Sequence, residues 1–191
     1  MTKSRPAAHF ERLYQSHQDP WEFETSSYEK EKFHRTLGVL GGRRFSAALE
    51  IGCSIGVLTR MLAQRCDAVL GVDIVEQPLH VARLRCADQT HVRFQRMHVP
   101  ASWPEGHFDL IVFSEVLYFL SMQDIDLCID GVRASLLPGG VVVLVNWLGK
   151  TDDPTSGNAA AEHFISKSPE TMPIVFGYRN EKYRLDVMKS I

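Results

Sequence analysis

From Ser46 onward, short apolar runs alternate with stretches of helical period. Ala47–Ile51, Ala68–Val72, Val92–Met97, Phe108–Ser114 and Val141–Trp147 read as strands. The fourth and fifth are continuously apolar, as strands covered on both faces are. Val92-Arg93-Phe94-Gln95 alternates instead, which suits a strand nearer the sheet edge. Between the runs, Ile55, Leu58 and Leu62 recur at helical spacing, as do Ile125, Cys128, Val132 and Leu136 to within a residue. Ser121-x-x-Asp124 marks the start of that last helix and Pro138-Gly139-Gly140 its stop. Pro78 fits the first turn of a helix leading into Leu79–Cys86. The repetition predicts an α/β fold: a doubly wound, mostly parallel sheet with right-handed crossovers.

Both ends of the chain depart from this rhythm. Ile174–Gly177 and Tyr183–Val187 are strand-like but separated only by Tyr178–Lys182, too short for a crossover helix. They are expected to form an antiparallel hairpin that completes a seven-stranded sheet. Ahead of the sheet, Phe10 to Leu40 is polar and dotted with aromatic residues. One helix is expected around Phe10, Leu13 and Tyr14, and another through Phe33, Leu37 and Leu40. Ser26-x-x-Glu29 is a capping box for the second, and Asp19-Pro20-Trp21 breaks the chain between them. The chain thus divides into an N-terminal helical extension, residues 1–45, and a main domain, residues 46–191.

Composition narrows the functional classes. The 191 residues carry 21 basic and 23 acidic side chains, net charge −2, so the basic footprint of a nucleic-acid or anionic-membrane binder is missing. A 45% hydrophobic content supports a real core. The longest apolar run, Val141–Trp147, falls far short of the roughly 18 residues of a membrane span. Met1–Phe10 is polar, unlike a signal peptide. Cys53, Cys66, Cys86 and Cys128 form no C-x-x-C pair and read as small core residues in a reducing, cytoplasmic compartment. The histidines show no metal-binding spacing, so no metal is expected.

Two segments carry chemistry. Leu49-Glu50-Ile51-Gly52-Cys53-Ser54-Ile55-Gly56 closes the first strand and opens a helix. Gly52 lets the backbone turn and approach a ligand, and Gly56 permits close helix packing. The G-x-x-x-G spacing differs from the G-x-G-x-x-G diphosphate loop. Glu50, two residues ahead, suits a cationic ligand group such as the amino group of S-adenosylmethionine, reached directly or through loop backbone or water. Gly71-Val72-Asp73 ends the second strand about 20 residues beyond Gly52, where a carboxylate accepts from both ribose hydroxyls of an adenosine. Together the two motifs indicate an adenosine-containing cofactor and leave open which one.

These motifs, with Phe108–Ile111, Ser114-Glu115-Val116-Leu117-Tyr118 and Leu137-Pro138-Gly139-Gly140, resemble class I S-adenosylmethionine-dependent methyltransferases. Asp19-Pro20-Trp21, Tyr28-Glu29 with Lys30 and Lys32, and Glu115-Val116-Leu117-Tyr118-Phe119-Leu120 resemble more narrowly the nodulation protein S (NodS) family. The resemblance implies N-methylation of a free amine, in that family the amine of a de-N-acetylated glucosamine in a chitooligosaccharide, with S-adenosylhomocysteine as product. It implies that Gly52 and Cys53 pack under the methionine part, Asp73 holds the ribose and Ile74 covers the adenine. Met97-His98-Val99 would line the adenine edge, where many members carry an Asp that this chain lacks. His98 as an acceptor tautomer, or the Val99 backbone, would replace it. Ser54 stands where many members have glycine. Ser114, Glu115 and Tyr118 would lie beside the methyl group, with Glu115 and Tyr118 as catalytic candidates. Trp21 and Tyr28 would cover cofactor and acceptor from lid helices.

Structural alternatives stand beside these roles: Glu115 as a cap, Tyr118 and Phe119 as core, Trp21 as a plug. Asn146–Ser168, with its Ala-rich helix Ala159–Ile165, is either an acceptor-specificity segment or a surface connection. O-methylation of a small molecule and non-catalytic adenosine binding are the rival functions. The acceptor is expected to be a small molecule or amino sugar, and the protein a monomer or weak homodimer.

Overall fold

The computed structural model describes residues 3–191. Seven strands form one sheet: β1 (Ala48–Ile51), β2 (Val69–Asp73), β3 (Val92–Arg96), β4 (Phe108–Ser114), β5 (Leu136–Trp147), β6 (Ile174–Arg179) and β7 (Tyr183–Lys189). Their spatial order is β3-β2-β1-β4-β5-β7-β6. The first five are parallel, and β7 runs antiparallel to both of its neighbours. The doubly wound sheet and its closing hairpin are therefore as the pattern predicts, with the alternating strand β3 at an edge.

The helices are α1 (Ala7–Ser16), α2 (Ser27–Gly38), α3 (Val57–Leu62), α4 (Glu76–Arg85), α5 (Met122–Ser135) and α6 (Gly157–Lys167). Strand alternation sorts the core into two layers. Leu110 and Val112 of β4 point toward Phe33 and Leu37 of α2 and Leu58 and Leu62 of α3. Ile111 and Phe113 point the other way, toward Ile125, Cys128 and Val132 of α5 and Phe164 of α6. A smaller cluster of Phe10, Tyr14 and Val75 lays α1 across the carboxyl end of β2. Extension helix α2 thus shares the main core.

Two boundaries differ from expectation. Leu136, assigned by spacing to the helix, instead opens β5 opposite Phe108, and α5 stops at Ser135. The ladder then shifts before Leu110 meets Val141, so Pro138-Gly139-Gly140 forms an irregularity inside the strand, where proline's missing N–H costs no ladder bond. Tyr178, expected in the hairpin turn, pairs with Leu185 in the ladder. The turn shortens because Asn180 Oδ1 accepts from the amides of Lys182 at 2.9 Å and Tyr183 at 2.8 Å, a side-chain mimic of a backbone turn.

Candidate active site

The carboxyl ends of β1 and β2 meet directly. Past β1, the amides of Gly52 and Cys53 both donate to the Val72 carbonyl, at 2.9 and 3.1 Å. Asp73 then binds the loop: its Oδ2 accepts from the Ser54 amide and its Oδ1 from the Val75 amide, each at 3.0 Å. Burial pushes the Asp73 carboxyl up to about 6, against the pull of these backbone donors. The loop needs left-handed backbone at Gly52, Ser54 and Gly56, with φ of 82°, 47° and 77°. Ser54 carries that conformation with a side chain, and its Oγ pairs with the buried Tyr14 hydroxyl at 2.6 Å.

Gly52 has a second reason to be glycine. A Cβ there would lie 2.2 Å from Val116 Cγ2 and 2.8 Å from the Ser114 carbonyl. That close approach is to the chain leaving β4, and Gly52 also lines the cavity beside this loop. Gly56 packs against α4, where an added Cβ would meet that of Ala82 at 2.8 Å. Glu50, Cys53 and Gly56 do not line the cavity that this loop borders. Glu50 is fully buried, accepts from Thr59 Oγ1 at 2.6 Å, and is pushed by burial up to about 8. It ties the end of β1 to α3 and does not face the cavity, so of the routes expected for it the one through loop backbone or water remains.

That cavity, about 530 Å³, runs along the carboxyl edge of the sheet. One end is lined by Gly52, Ser54, Asp73, Ile74, His98 and Val99, roofed by Phe10, Leu13 and Tyr14 of α1. Phe10 packs edge-on to Phe119 at 4.9 Å. Trp21 lines the cavity too, edge-on to Tyr14 at 5.5 Å and stacked on Phe23 at 5.7 Å.

The other end begins where β4 stops. Ser114, Glu115 and Tyr118 all line it, with Glu115 in left-handed backbone at φ 58° and Tyr118 just after it in a 3-10 turn. Lys32 of α2, its side chain 3% exposed, reaches Glu115 Oε1 at 2.5 Å and Glu29 Oε1 at 3.0 Å. Glu115 Oε2 accepts from the Trp147 amide of β5 at 2.7 Å. Burial disfavours the Lys32 ammonium, but the two carboxylates outweigh it and raise its pKa. Tyr28 stands edge-on to Trp147 and Tyr183, at 6.1 and 6.0 Å. Burial and then Glu115 raise the Tyr28 and Tyr118 phenols, which stay protonated. The Lys150–Asp153 loop and Lys182 form the mouth, and Arg5 clasps that loop at Asp153 Oδ1, 2.8 Å away.

Sequence reading did not single out Tyr14, the Glu29–Lys32 pair as a site, or Trp147. A signal for the pair was present. Glu29, Lys32 and Thr36, three and four residues apart, form a polar stripe beside the apolar Phe33 and Leu37, and all five are buried.

A family model described as Nodulation protein S (NodS) matches residues 9–141. The chain belongs to that family. NodS-family relatives include the nodulation protein S of Bradyrhizobium diazoefficiens, 35% identical over 105 residues, which are 53% of this chain and 49% of that protein. The nodulation protein S of Sinorhizobium fredii is 28% identical over 157 residues, 81% of this chain and 73% of that one. The match thus spans about half the length of the first relative. The crystal structure of N-methyltransferase NodS from Bradyrhizobium japonicum WM9, in complex with S-adenosylhomocysteine, superimposes with a TM-score of 0.81 at 24% identity, covering 96% of this chain and 97% of that one. The NodS fold is therefore shared nearly end to end. The family match covers Glu29, Lys32, Asp73 and Glu115, and stops before Trp147.

Proposed function

We propose that this chain is an S-adenosylmethionine-dependent methyltransferase that methylates the nitrogen of a small amine or of a de-N-acetylated amino sugar. The carrying observation is the bond from the Ser54 amide to Asp73 Oδ2, which joins the glycine turn and the aspartate turn under one open cleft.

The donor set fits the cofactor. Each Asp73 oxygen accepts one backbone N–H and keeps lone-pair capacity for a ribose hydroxyl. Ile74, Val99, Leu13 and Phe10 offer an apolar slot of the kind a purine fills, and His98 or the Val99 backbone supplies its polar edge. When bound, the cofactor supplies a methyl group on a sulfonium, already a good leaving group. The protein's own task is to orient a nucleophile and exclude water. Trp21 and α1 cover the cofactor end. Tyr28, Tyr118 and Trp147 wall the acceptor end with rings, and aromatic faces stabilise a cationic amine. Glu29, Lys32 and Glu115 together carry one excess negative charge deep in that end, and Arg5, Lys150, Lys182, Asp152 and Asp153 at its mouth add one positive charge. The NodS name and the N-methyltransferase among the structural neighbours support the choice of an amine.

No helix among the described residues is long and apolar enough to cross a membrane. All four cysteines are buried and unpaired, which supports a reducing, cytoplasmic setting.

Calorimetric titration with S-adenosylhomocysteine, followed by radiolabelled methyl transfer onto amines and amino sugars with and without their acetyl groups, tests the reading. Saturable heat and label on free amines but not on acetylated ones, alcohols or phenols is the expected result. Absence of binding overturns it, and label on hydroxyls alone makes the protein an O-methyltransferase.

A further inference from the structure

We infer that the acceptor carries an anionic group besides its amine, a phosphate or a carboxylate, and that Lys182, helped by Lys150, receives it at the mouth of the cleft. The inference rests on the methyltransferase reading above and narrows its acceptor. Charges at the acceptor end are sorted by depth. On the floor, Glu29 and Glu115 share the single buried cation Lys32. At the mouth the balance reverses. Both acids there, Asp152 and Asp153, are paired with Arg5, at 3.1 and 2.8 Å. Lys150 and Lys182 line the same cavity, and neither has a carboxylate partner among the described residues. A cleft that is negative at depth and positive at its rim orients a dipolar guest with its amine inward and its anion outward.

One ring links the two zones. Tyr28 has Lys32 Nζ 5.1 Å from its centroid and Lys182 Nζ 4.8 Å from it. Both ammoniums thus stand about 5 Å from one point, and no more than about 10 Å separates them. At that spacing, an amine beside the floor carboxylates and an anion at Lys182 belong to one small molecule, such as an amino-alcohol phosphate, an amino acid or an amino-sugar phosphate.

The position of Lys182 is set by the sheet. Its amide donates to Asn180 Oδ1 at 2.9 Å, and its carbonyl accepts from the Leu148 amide at 2.7 Å. The second bond carries the β5–β7 pairing one step past Trp147 and Tyr183. The backbone is therefore held on both sides, while the side chain is exposed. A ring holds an exposed ammonium only weakly, so an anion entering the mouth can draw Lys182 from Tyr28 and leave that ring face to the acceptor. Lys150 leaves the same strand end two residues beyond Leu148, where Arg5 clasps the segment that follows.

The test titrates the protein, saturated with S-adenosylhomocysteine, with matched probes: ethanolamine and O-phosphoethanolamine, glucosamine and glucosamine 6-phosphate, 3-aminopropanol and β-alanine. In at least one pair the anionic member should bind about fivefold or more tightly, as two exposed charge pairs allow. The first two pairs report a phosphate and the third a carboxylate. With S-adenosylmethionine the preferred probe should be methylated with the lower KM. Rising ionic strength should shrink the preference in the wild type. The double variant Lys150→Gln/Lys182→Gln should bring the ratio toward one while binding S-adenosylhomocysteine within about twofold of wild type. Equal or absent binding across every pair, tighter binding of the uncharged partners, or a preference that survives the double variant overturns the inference alone. So does a parallel loss of S-adenosylhomocysteine affinity in that variant, which would assign the lysines to the cofactor's own carboxylate. A wild type that neither binds S-adenosylhomocysteine nor methylates any amine overturns the parent reading and this one with it.

Discussion

The two ends of the cleft are built by opposite means. At the adenosine end, Asp73, Ser54 and Val75 come from neighbouring strand ends, and the polar contacts are backbone amides on a carboxylate. Their geometry follows from strand pairing alone, since β1 and β2 run side by side with Ile51 opposite Val72. At the acceptor end, Lys32 and Glu115 are 83 residues apart in the chain, and the contacts are between side chains from α2 and the end of β4. One end is held by the sheet. The other exists only when the extension has docked, so cofactor binding and acceptor binding should respond differently to mutation.

The largest separation should come from Lys32→Met. Removing the shared cation leaves Glu29 and Glu115 as buried like charges, and a loss of about 3–5 kcal/mol in urea unfolding at neutral pH is expected. Part of that loss should return as the pH is lowered and Glu29, whose carboxyl burial raises, takes up a proton. An unchanged midpoint would mean that the triad carries no weight in docking α2.

Asp73→Ala should act at the opposite end, weakening S-adenosylhomocysteine by about 1.5–3 kcal/mol in calorimetry through lost charge-assisted bonds. Unchanged affinity would place the ribose elsewhere. The same group sets a pH dependence. With its carboxyl at about 6 in the free protein, Asp73 is ionised and a full acceptor above that pH. Affinity should therefore hold above pH 6 and fall as the pH drops through it, by up to about 1.4 kcal/mol per unit. Asp73→Asn should flatten the profile.

The smallest effect sharpens the boundary between scaffold and site. Thr59→Val removes the hydroxyl donor to Glu50 and should cost about 1 kcal/mol in thermal unfolding. Affinity for S-adenosylhomocysteine should stay within about twofold, because Glu50 lies outside the cavity. A large loss of affinity would return Glu50 to the ligand.

Apolar runs and capping residues foretold the doubly wound sheet, its closing hairpin, the edge-ward third strand and most of the elements, because a strand covered on both faces and a helix with one apolar stripe leave different periods. The misplacement of Leu136 shows the limit of that signal: a leucine at helical spacing directly after a helix also fits the first position of a buried strand. The adenosine end was legible for a related reason, being made of short turns whose residues are neighbours in the chain or lie at the ends of paired strands. The motif reading placed Gly52 at the ligand, and it lines the cavity while also packing on Val116; it placed Glu50 near a cation, directly or through backbone or water, and Glu50 lies outside the cavity, bonded to Thr59.

By itself, then, the sequence determined the doubly wound sheet, the closing hairpin, the two helices ahead of it with the cap of the second, and the pair of turns where a nucleoside would lie. Tertiary structure alone decided that Lys32 is shared between Glu29 and Glu115, that the Trp147 amide holds the second oxygen of Glu115, and that Lys182 reaches the same Tyr28 ring as Lys32. Local patterns record which face of an element is buried. They do not record which distant side chains meet there, and the properties of a buried charge depend on that meeting.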